Sequence, residues 1–225
     1  MSKPIRQESP LADRKETSLT ATAGVGVAVQ LCERAFLGHI NLRGDPSSSD
    51  FIEAVRQTLD CPLPLEANRF IDAEKVRVCW LGPSEWLVTC AGALEEATAE
   101  QLRRALKREF TAVTEIGGGQ TVLGISGSRA PNVIAKGCTL DLHPRVFGPG
   151  HCAQTSLARA AITILQTGAA PSFELIVRRS YADYVWRWLM DAAAEYGCAV
   201  VESAPWLSTA SPDSANREGL AKTQA

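Results

Sequence analysis

Apolar and polar positions along the chain alternate between two periods. From Phe36 to Leu42 (FLGHINL) the run is strand-like. The polar turn Gly44-Asp-Pro-Ser-Ser-Ser-Asp50 follows, and Phe51, Ile52, Val55 and Leu59 then recur at the spacing of one helical face. VRVCW (76–80) and EWLVTC (85–90) are short β-prone runs joined by Leu81-Gly-Pro-Ser84, whose Gly-Pro pair favours chain reversal, so they predict a β-hairpin. Thr98 and Gln101 have capping-box spacing ahead of Leu102, Ala105, Leu106 and Phe110, which share a helical face.

The same order then restarts. TVLGI (121–125) predicts a strand and Ser126-Gly-Ser128 a turn able to cap a helix. Pro131 falls in the first turn of that helix, where its missing N–H costs little. Val133 and Ile134 give the helix an apolar face, and Gly137 is placed to end it in the left-handed conformation. AITIL (161–165) and FELIVRR (173–179) predict strands joined by the turn-rich QTGAAPS. The final helix has Ser180 and Asp183 at capping-box spacing, a stripe of Tyr181, Val185, Trp188, Leu189, Ala192 and Tyr196, and Gly197 as its stop.

Strand, helix, hairpin, helix thus occurs twice, and the residues repeat with the pattern. CPLPLEANRF (61–70) follows the first helix of one half and CTLDLHPRVF (138–147) the equivalent helix of the other, with Cys, two Leu and Phe coinciding without a gap. The expectation is an α+β fold of internally duplicated strand-helix-hairpin-helix units, in which Cys138, Leu140, Leu142 and Phe147 pack as Cys61, Leu63, Leu65 and Phe70 do. Residues 1–22 and 207–225 are polar and poor in large apolar groups, which predicts flexible tails. They flank a duplicated domain over 23–206, with halves of about 23–111 and 112–206.

Composition narrows the function classes. A formal net charge of -2, with both signs mixed along the chain, gives no general drive toward nucleic acid, and Lys136 with Arg145 or Arg178 with Arg179 read as solvated surface. No window reaches the eighteen or so apolar residues of a membrane span, and MSKPIRQESPLADRKETSLT lacks a secretory core segment, so a cytoplasmic protein is expected. The seven cysteines are odd in number and irregularly spaced, which predicts reduced thiols.

Four motifs invite chemistry. Cys138 with His143 could form a nucleophile and its base, but sequence proximity does not supply the geometry, and the repeated copy has Cys61 without a histidine. Cys138, His143, His151 and Cys152 have the residue types of a zinc site without its short paired spacings. Gly117-Gly-Gly119 lacks the Gly-Lys-Ser/Thr ending of a P-loop and the Gly-x-Gly-x-x-Gly of a dinucleotide site, so it reads as a turn. Arg43-Gly44-Asp45 also reads as a turn. Trp186 and Trp188 stand about 200° apart on a helix, so with Trp188 inward Trp186 faces out, as a protein–protein anchor would. The residues alone therefore predict no catalytic, cofactor-binding or metal-binding side chain in this chain, and a binding or scaffold element.

The segments LGPSEWL (81–87), SGSRAPNVIAKGCTLDLHPRVFGPGHCAQT (126–155) and FELIVRRSYADYVWRWLMDAAAEYG (173–197) resemble the gamma subunit of bacterial heterotetrameric sarcosine oxidase. That resemblance implies a fold like the folate-binding region of glycine-cleavage T-protein. It also implies alpha, beta and delta subunits as partners, with FAD, FMN, NAD and zinc carried on those other subunits. The complex so implied oxidises sarcosine to glycine, passes the methyl carbon to tetrahydrofolate or releases it as formaldehyde, and forms hydrogen peroxide. No acidic pterin ligand can be placed by motif, since Glu115, Asp141 and Glu174 each lie in unmatched contexts, so folate binding by this chain is not expected. Asp141, His143 and Arg145 differ from the first copy and are not needed for packing, which makes them, with Trp186, the expected subunit contacts. Alternatives on the same resemblance are a stand-alone folate-dependent aminomethyltransferase or a subunit of a related N-methyl amino acid oxidase or dehydrogenase.

Overall fold

Ser48 starts the first helix because its hydroxyl accepts the Phe51 N–H at 3.2 Å, and Asp60, at φ 49°, stops it in the left-handed region. A computed structural model describes residues 7–14 and 26–203. Their first part contains β1 (Val29–Arg34), β2 (Leu37–Arg43), α1 (Ser49–Leu59), β3 (Phe70–Asp72), β4 (Val76–Gly82), β5 (Glu85–Ala91), α2 (Glu95–Ala105) and β6 (Ala112–Glu115). The second contains β7 (Gln120–Ser126), α3 (Ala130–Ala135), β8 (Cys152–Leu157), β9 (Ala160–Gly168), β10 (Ser172–Arg178), α4 (Ala182–Ala193) and β11 (Cys198–Val200).

The strands form two sheets, one ordered β3-β4-β5-β2-β6 and the other β11-β1-β7-β10-β9-β8. Neighbours are antiparallel throughout except β11, which runs parallel to β1. A division at 111/112 does not follow the sheets. β1, from the early part of the chain, lies in the second sheet between β7 and β11, while β6 closes the edge of the first beside β2.

Alternation along each strand sorts side chains into three cores. On β4, Val76 and Val78 face α1 and α2, whereas Cys79 joins Phe70, Leu87, Val122, Cys152, Leu165 and Ile176 in a layer between the sheets. On β10, Leu175 and Val177 pack beneath α3 and α4, while Ile176 points into that middle layer. The result is helices, sheet, sheet, helices. Trp86 anchors the first outer core: it is fully buried, its indole N–H donates to Pro64 O at 2.8 Å, and its ring lies 5.7 Å from Phe51.

At one edge the two sheets touch through backbone. Phe70 N–H donates to Gly150 O and Cys152 N–H to Asn68 O, both at 2.9 Å, forming an antiparallel bridge between Arg69 and His151. These residues immediately precede β3 and β8. The bridge therefore joins corresponding points of the two sheets.

Several expectations need correction. Leu63 and Leu142 are buried and Leu140 is half-buried, but Leu65 is 55% exposed, so the two linkers do not pack position for position. Phe70 opens β3 whereas Phe147 precedes β8 by five residues, because the second linker is longer. α2 starts at Glu95 after a 3-10 turn, which puts Thr98 inside the helix, and Phe110 is fully exposed beyond its end. α4 likewise follows a 3-10 turn (Arg179–Tyr181) with no side-chain cap, and Asp183 instead meets Arg14 at 2.7 Å.

Gly137 does not adopt positive φ; a Cβ there would sit 2.5 Å from the Trp188 ring, so glycine is required by close approach. Gly197, at φ 70°, does end its helix as expected. Residues 7–14 of the expected N-terminal tail are docked: Leu11 is buried in the second outer core, and Ser9 Oγ donates to Glu33 at 2.5 Å. Residues 1–6, 15–22 and 207–225 lie outside the described residues.

Candidate functional site

The most concentrated polar chemistry lies between the sheets. Arg77 on β4 donates to Glu174 Oε2 on β10 at 2.5 Å and to both oxygens of Asp72, and Arg34 Nε on β1 lies 3.2 Å from Glu174 Oε1. Burial disfavours the Arg77 charge, but its hydrogen bonds to Asp72 and the neighbouring carboxylate charges outweigh it, so the guanidinium is held above its ordinary value. It also stacks over the Phe70 ring at 4.9 Å. Two guanidiniums and two carboxylates balance, and both Glu174 oxygens are engaged. This arrangement fastens the sheets to one another and leaves no free base.

His39, on β2, faces the same layer and is wholly buried, with neither ring nitrogen in a hydrogen bond. Desolvation by burial lowers its pKa to about 4, so the ring is neutral at physiological pH. Its backbone N–H donates to Glu95 Oε1 at 3.1 Å. The same oxygen accepts Gly117 N–H at 2.8 Å, and a Cβ at Gly117 would sit 2.6 Å from that carboxylate. The glycine-rich loop therefore cradles the protein's own Glu95 rather than a phosphate. Sequence reasoning passed over Glu95, whose only signal is an acidic residue at a helix start.

The suspected zinc and nucleophile residues are not gathered together. Cys138 is buried under α3 with its Sγ 3.7 Å from Thr155 Oγ1, and Cys152 points between the sheets. His151 Nδ1 lies 3.0 Å from Arg69 Nη1 and accepts Gly148 N–H at 3.0 Å. His143 is exposed, and its Nδ1 accepts Arg145 N–H at 3.2 Å.

Asp141, His143 and Arg145 all lie exposed on the loop between α3 and β8. Asp141 Oδ1 accepts His143 N–H at 2.9 Å, so the three side chains are held in one local run of hydrogen bonds. Beside them opens a groove of about 580 Å³ lined by Pro131, Leu140, Leu142, Pro144, Pro171 and Phe173, with Asp141 and His143 on its wall. Trp186 corrects the helix reading. It is only 5% exposed and belongs to the core stripe Ala182, Val185, Trp186, Leu189, Met190 and Ala193, while Trp188 flanks that stripe, half-buried against Gly137. The outward-facing anchor is absent because alanines, not the large aromatics, mark the true stripe.

The charged groups between the sheets are thus engaged with one another, and the α3–β8 loop is polar and exposed. The family model described as sarcosine oxidase, gamma subunit family matches residues 43–195. The chain belongs to the sarcosine oxidase gamma subunit family. Among relatives, "Sarcosine oxidase subunit gamma" of Corynebacterium sp. (strain P-1) is 34% identical over 177 residues, covering 78% of this chain and 84% of the relative. The protein of the same name from Corynebacterium sp. (strain U-96) is 32% identical over 196 residues, covering 87% and 94%.

Solved structures agree with the family. A chain of the heterotetrameric sarcosine oxidase from Corynebacterium sp. U-96, in complex with pyrrole 2-carboxylate, matches with a TM-score of 0.76 and 30% identity over 87% of this chain and 98% of that one. The glycine cleavage system aminomethyltransferase T from Bartonella henselae matches with a TM-score of 0.56 and 14% identity over 79% of this chain and 48% of that one, a likeness of fold. Membership of the sarcosine oxidase gamma subunit family and the T-protein-like α+β fold are thus as the quoted segments implied. Among the described residues, no helix is long and apolar enough to cross a membrane.

Proposed function

We propose that the chain is the non-catalytic gamma subunit of a heterotetrameric sarcosine oxidase and assembles with alpha, beta and delta subunits. The complex oxidatively demethylates sarcosine to glycine, yielding 5,10-methylenetetrahydrofolate or formaldehyde and hydrogen peroxide. FAD, FMN, NAD and zinc are carried on the partner subunits. The observation that carries this reading is the family match over residues 43–195, joined to an intersheet ion-pair group in which buried Glu174 and edge-exposed Asp72 are both committed to arginines. Exposed Asp141, His143 and Arg145, beside an apolar groove, are the contact residues of this reading. Seven free thiols suit a reducing, cytoplasmic compartment.

Co-expression with the neighbouring subunits and purification through a tag on this chain tests the reading: flavoprotein co-purifies in fixed stoichiometry. Recovery of the chain alone overturns it. The T-protein likeness supports a second reading, a folate-dependent aminomethyltransferase acting alone. Calorimetric titration of the isolated chain with tetrahydrofolate separates the two, because only the second requires tight binding without partners.

The fold also supports an origin by internal duplication. β2-α1-β3-β4-β5-α2-β6 and β7-α3-β8-β9-β10-α4-β11 run in the same order, with β3, β4, β5 and β2 placed as β8, β9, β10 and β7 are. β1 is then an addition inserted beside β7.

A further inference from the structure

Cys79 and Cys152 come from opposite sheets and meet in the layer between them. Cys79 pairs with Phe70 across the β3–β4 ladder, and Cys152 N–H donates to Asn68 O, so one short stretch of chain, 68–70, holds both from its two sides. Cys152 Sγ lies 3.2 Å from Arg69 O and 3.5 Å from Trp80 O. Both residues are wholly buried and belong to the same cluster between the sheets.

Facing sheets ordinarily stand about 10 Å apart, whereas a disulfide needs Cα atoms roughly 4.4–6.8 Å apart. Here the Arg69–His151 bridge draws the sheets together, and β4 and β8 approach within 8 Å, Cα to Cα. Cys79 on β4 and Cys152 on β8 belong to the two strands that make this approach.

We propose that Cys79 and Cys152 form an oxidisable dithiol, which hydrogen peroxide converts into a disulfide stapling the two sheets. Cys152 is the attacking sulfur. The hydrogen bond from Cys79, with the charges of Arg69 and Arg77, holds its thiol below the ordinary value, while burial holds Cys79 above it. Burial pushes Cys61, Cys90 and Cys198 up to about 11, which leaves those thiols unreactive by comparison.

The Cys152 thiolate attacks one peroxide oxygen and the O–O bond breaks. The departing hydroxide takes up the thiol proton as water, leaving a sulfenic acid. Cys79 sulfur then displaces hydroxide from that sulfur, the S–S bond forms, and the Cys79 proton leaves with the hydroxide as a second water. Two thiols lose two protons and two electrons, and one peroxide accepts them to become two waters. Access comes by opening of the sheet edge, since β3 has only three residues and ends its sheet. The sulfur chemistry stands without the complex as a peroxide source; that source rests on the function proposed above.

The test uses the full chain within its co-purified complex. The complex is exposed to hydrogen peroxide, denatured in an alkylating agent, digested without reductant and mapped by mass spectrometry. A linked Cys79–Cys152 peptide lacking two hydrogens is expected, with Cys61, Cys90, Cys138 and Cys198 recovered alkylated. Recovery of Cys79 and Cys152 as alkylated thiols, or linkages scattered among other cysteines, overturns the proposal. In Cys79→Ser the linkage disappears and Cys152 is recovered at a higher oxidation state; unchanged Cys152 alkylation there also counts against it. A parallel sample given sarcosine and oxygen, with and without catalase, reports on the source. Linkage with added peroxide but none during turnover sustains the dithiol and contradicts peroxide formation by the complex.

Discussion

Arg77 on β4 donates to Glu174 on β10 at 2.5 Å across the space between the two sheets, and both side chains are less than a tenth exposed. The pair is separated by 97 positions in the chain. Glu174 also neutralises Arg34, so its charge serves two cations at once. Removing one partner of a buried ion pair leaves uncompensated charge, which costs about 3–5 kcal/mol. Glu174→Gln is therefore expected to lower the urea midpoint of unfolding substantially without changing its slope. Glu174→Gln combined with Arg77→Met should recover much of that loss, and a double variant as unstable as the single one would show that the charge balance is not what the site contributes.

His39 gives the protein an acid-labile core. Its folded pKa, lowered to about 4, lies below the ordinary histidine value, so between about pH 6.5 and 4 the unfolded chain binds a proton that the folded chain does not. Stability from this group is present above the unfolded pKa and is lost as pH falls through that window, to a total of about 3 kcal/mol. His39→Leu removes the titrating group and both unpaired ring nitrogens. Denaturation of His39→Leu from pH 7 to 4 should show a shallower loss than the natural chain; parallel curves would mean that other groups carry the acid sensitivity.

How far the sequence discloses this architecture depends on whether the signal is local. α1 was legible because Ser48 and the Phe51, Val55 and Leu59 stripe define it within a dozen residues, and the β4–β5 hairpin because its turn is adjacent. β1, β3 and β11 were not, since these segments become strands only through partners far away: β1 pairs with β7 and β11, and β3, only three residues long, is held on one side by Gly150. The polar centre was illegible for the same reason. Glu174 appeared as an unmatched carboxylate, and nothing near it announces Arg34 or Arg77. Trp186 failed differently: Ala182 and Ala193 complete its stripe, but large side chains drew the reading toward Trp188.

Leu11 makes the docked N-terminal segment a structural part of the second core. It is buried among the side chains packed beneath α4, and Arg14 meets Asp183 on that helix. Leu11→Ala is expected to cost about 2–5 kcal/mol, as truncation of a buried leucine does. Arg14→Ala, which removes a partly exposed ion pair, should cost less than about 1 kcal/mol. Thermal unfolding of the two variants separates these contributions; equal shifts would mean that the segment is held by charge rather than by burial.

Asp141, His143 and Arg145 bear on assembly instead. Their side chains are exposed and, among the described residues, hydrogen-bonded to one another's atoms, so replacing all three with alanine removes no buried contact seen there and should leave the isolated chain's melting temperature nearly unchanged. If the loop faces a partner subunit, the same triple variant should weaken assembly tenfold or more, a loss of about 1.4 kcal/mol. Quantitative co-purification with the flavoprotein subunits measures it. Undiminished assembly would place the loop in solvent, and loss of folding would assign these residues to holding the long α3–β8 connection. The groove supplies a control: Leu140→Asp, which charges its apolar wall, should reduce assembly only if the partner reaches past the loop's rim into that groove.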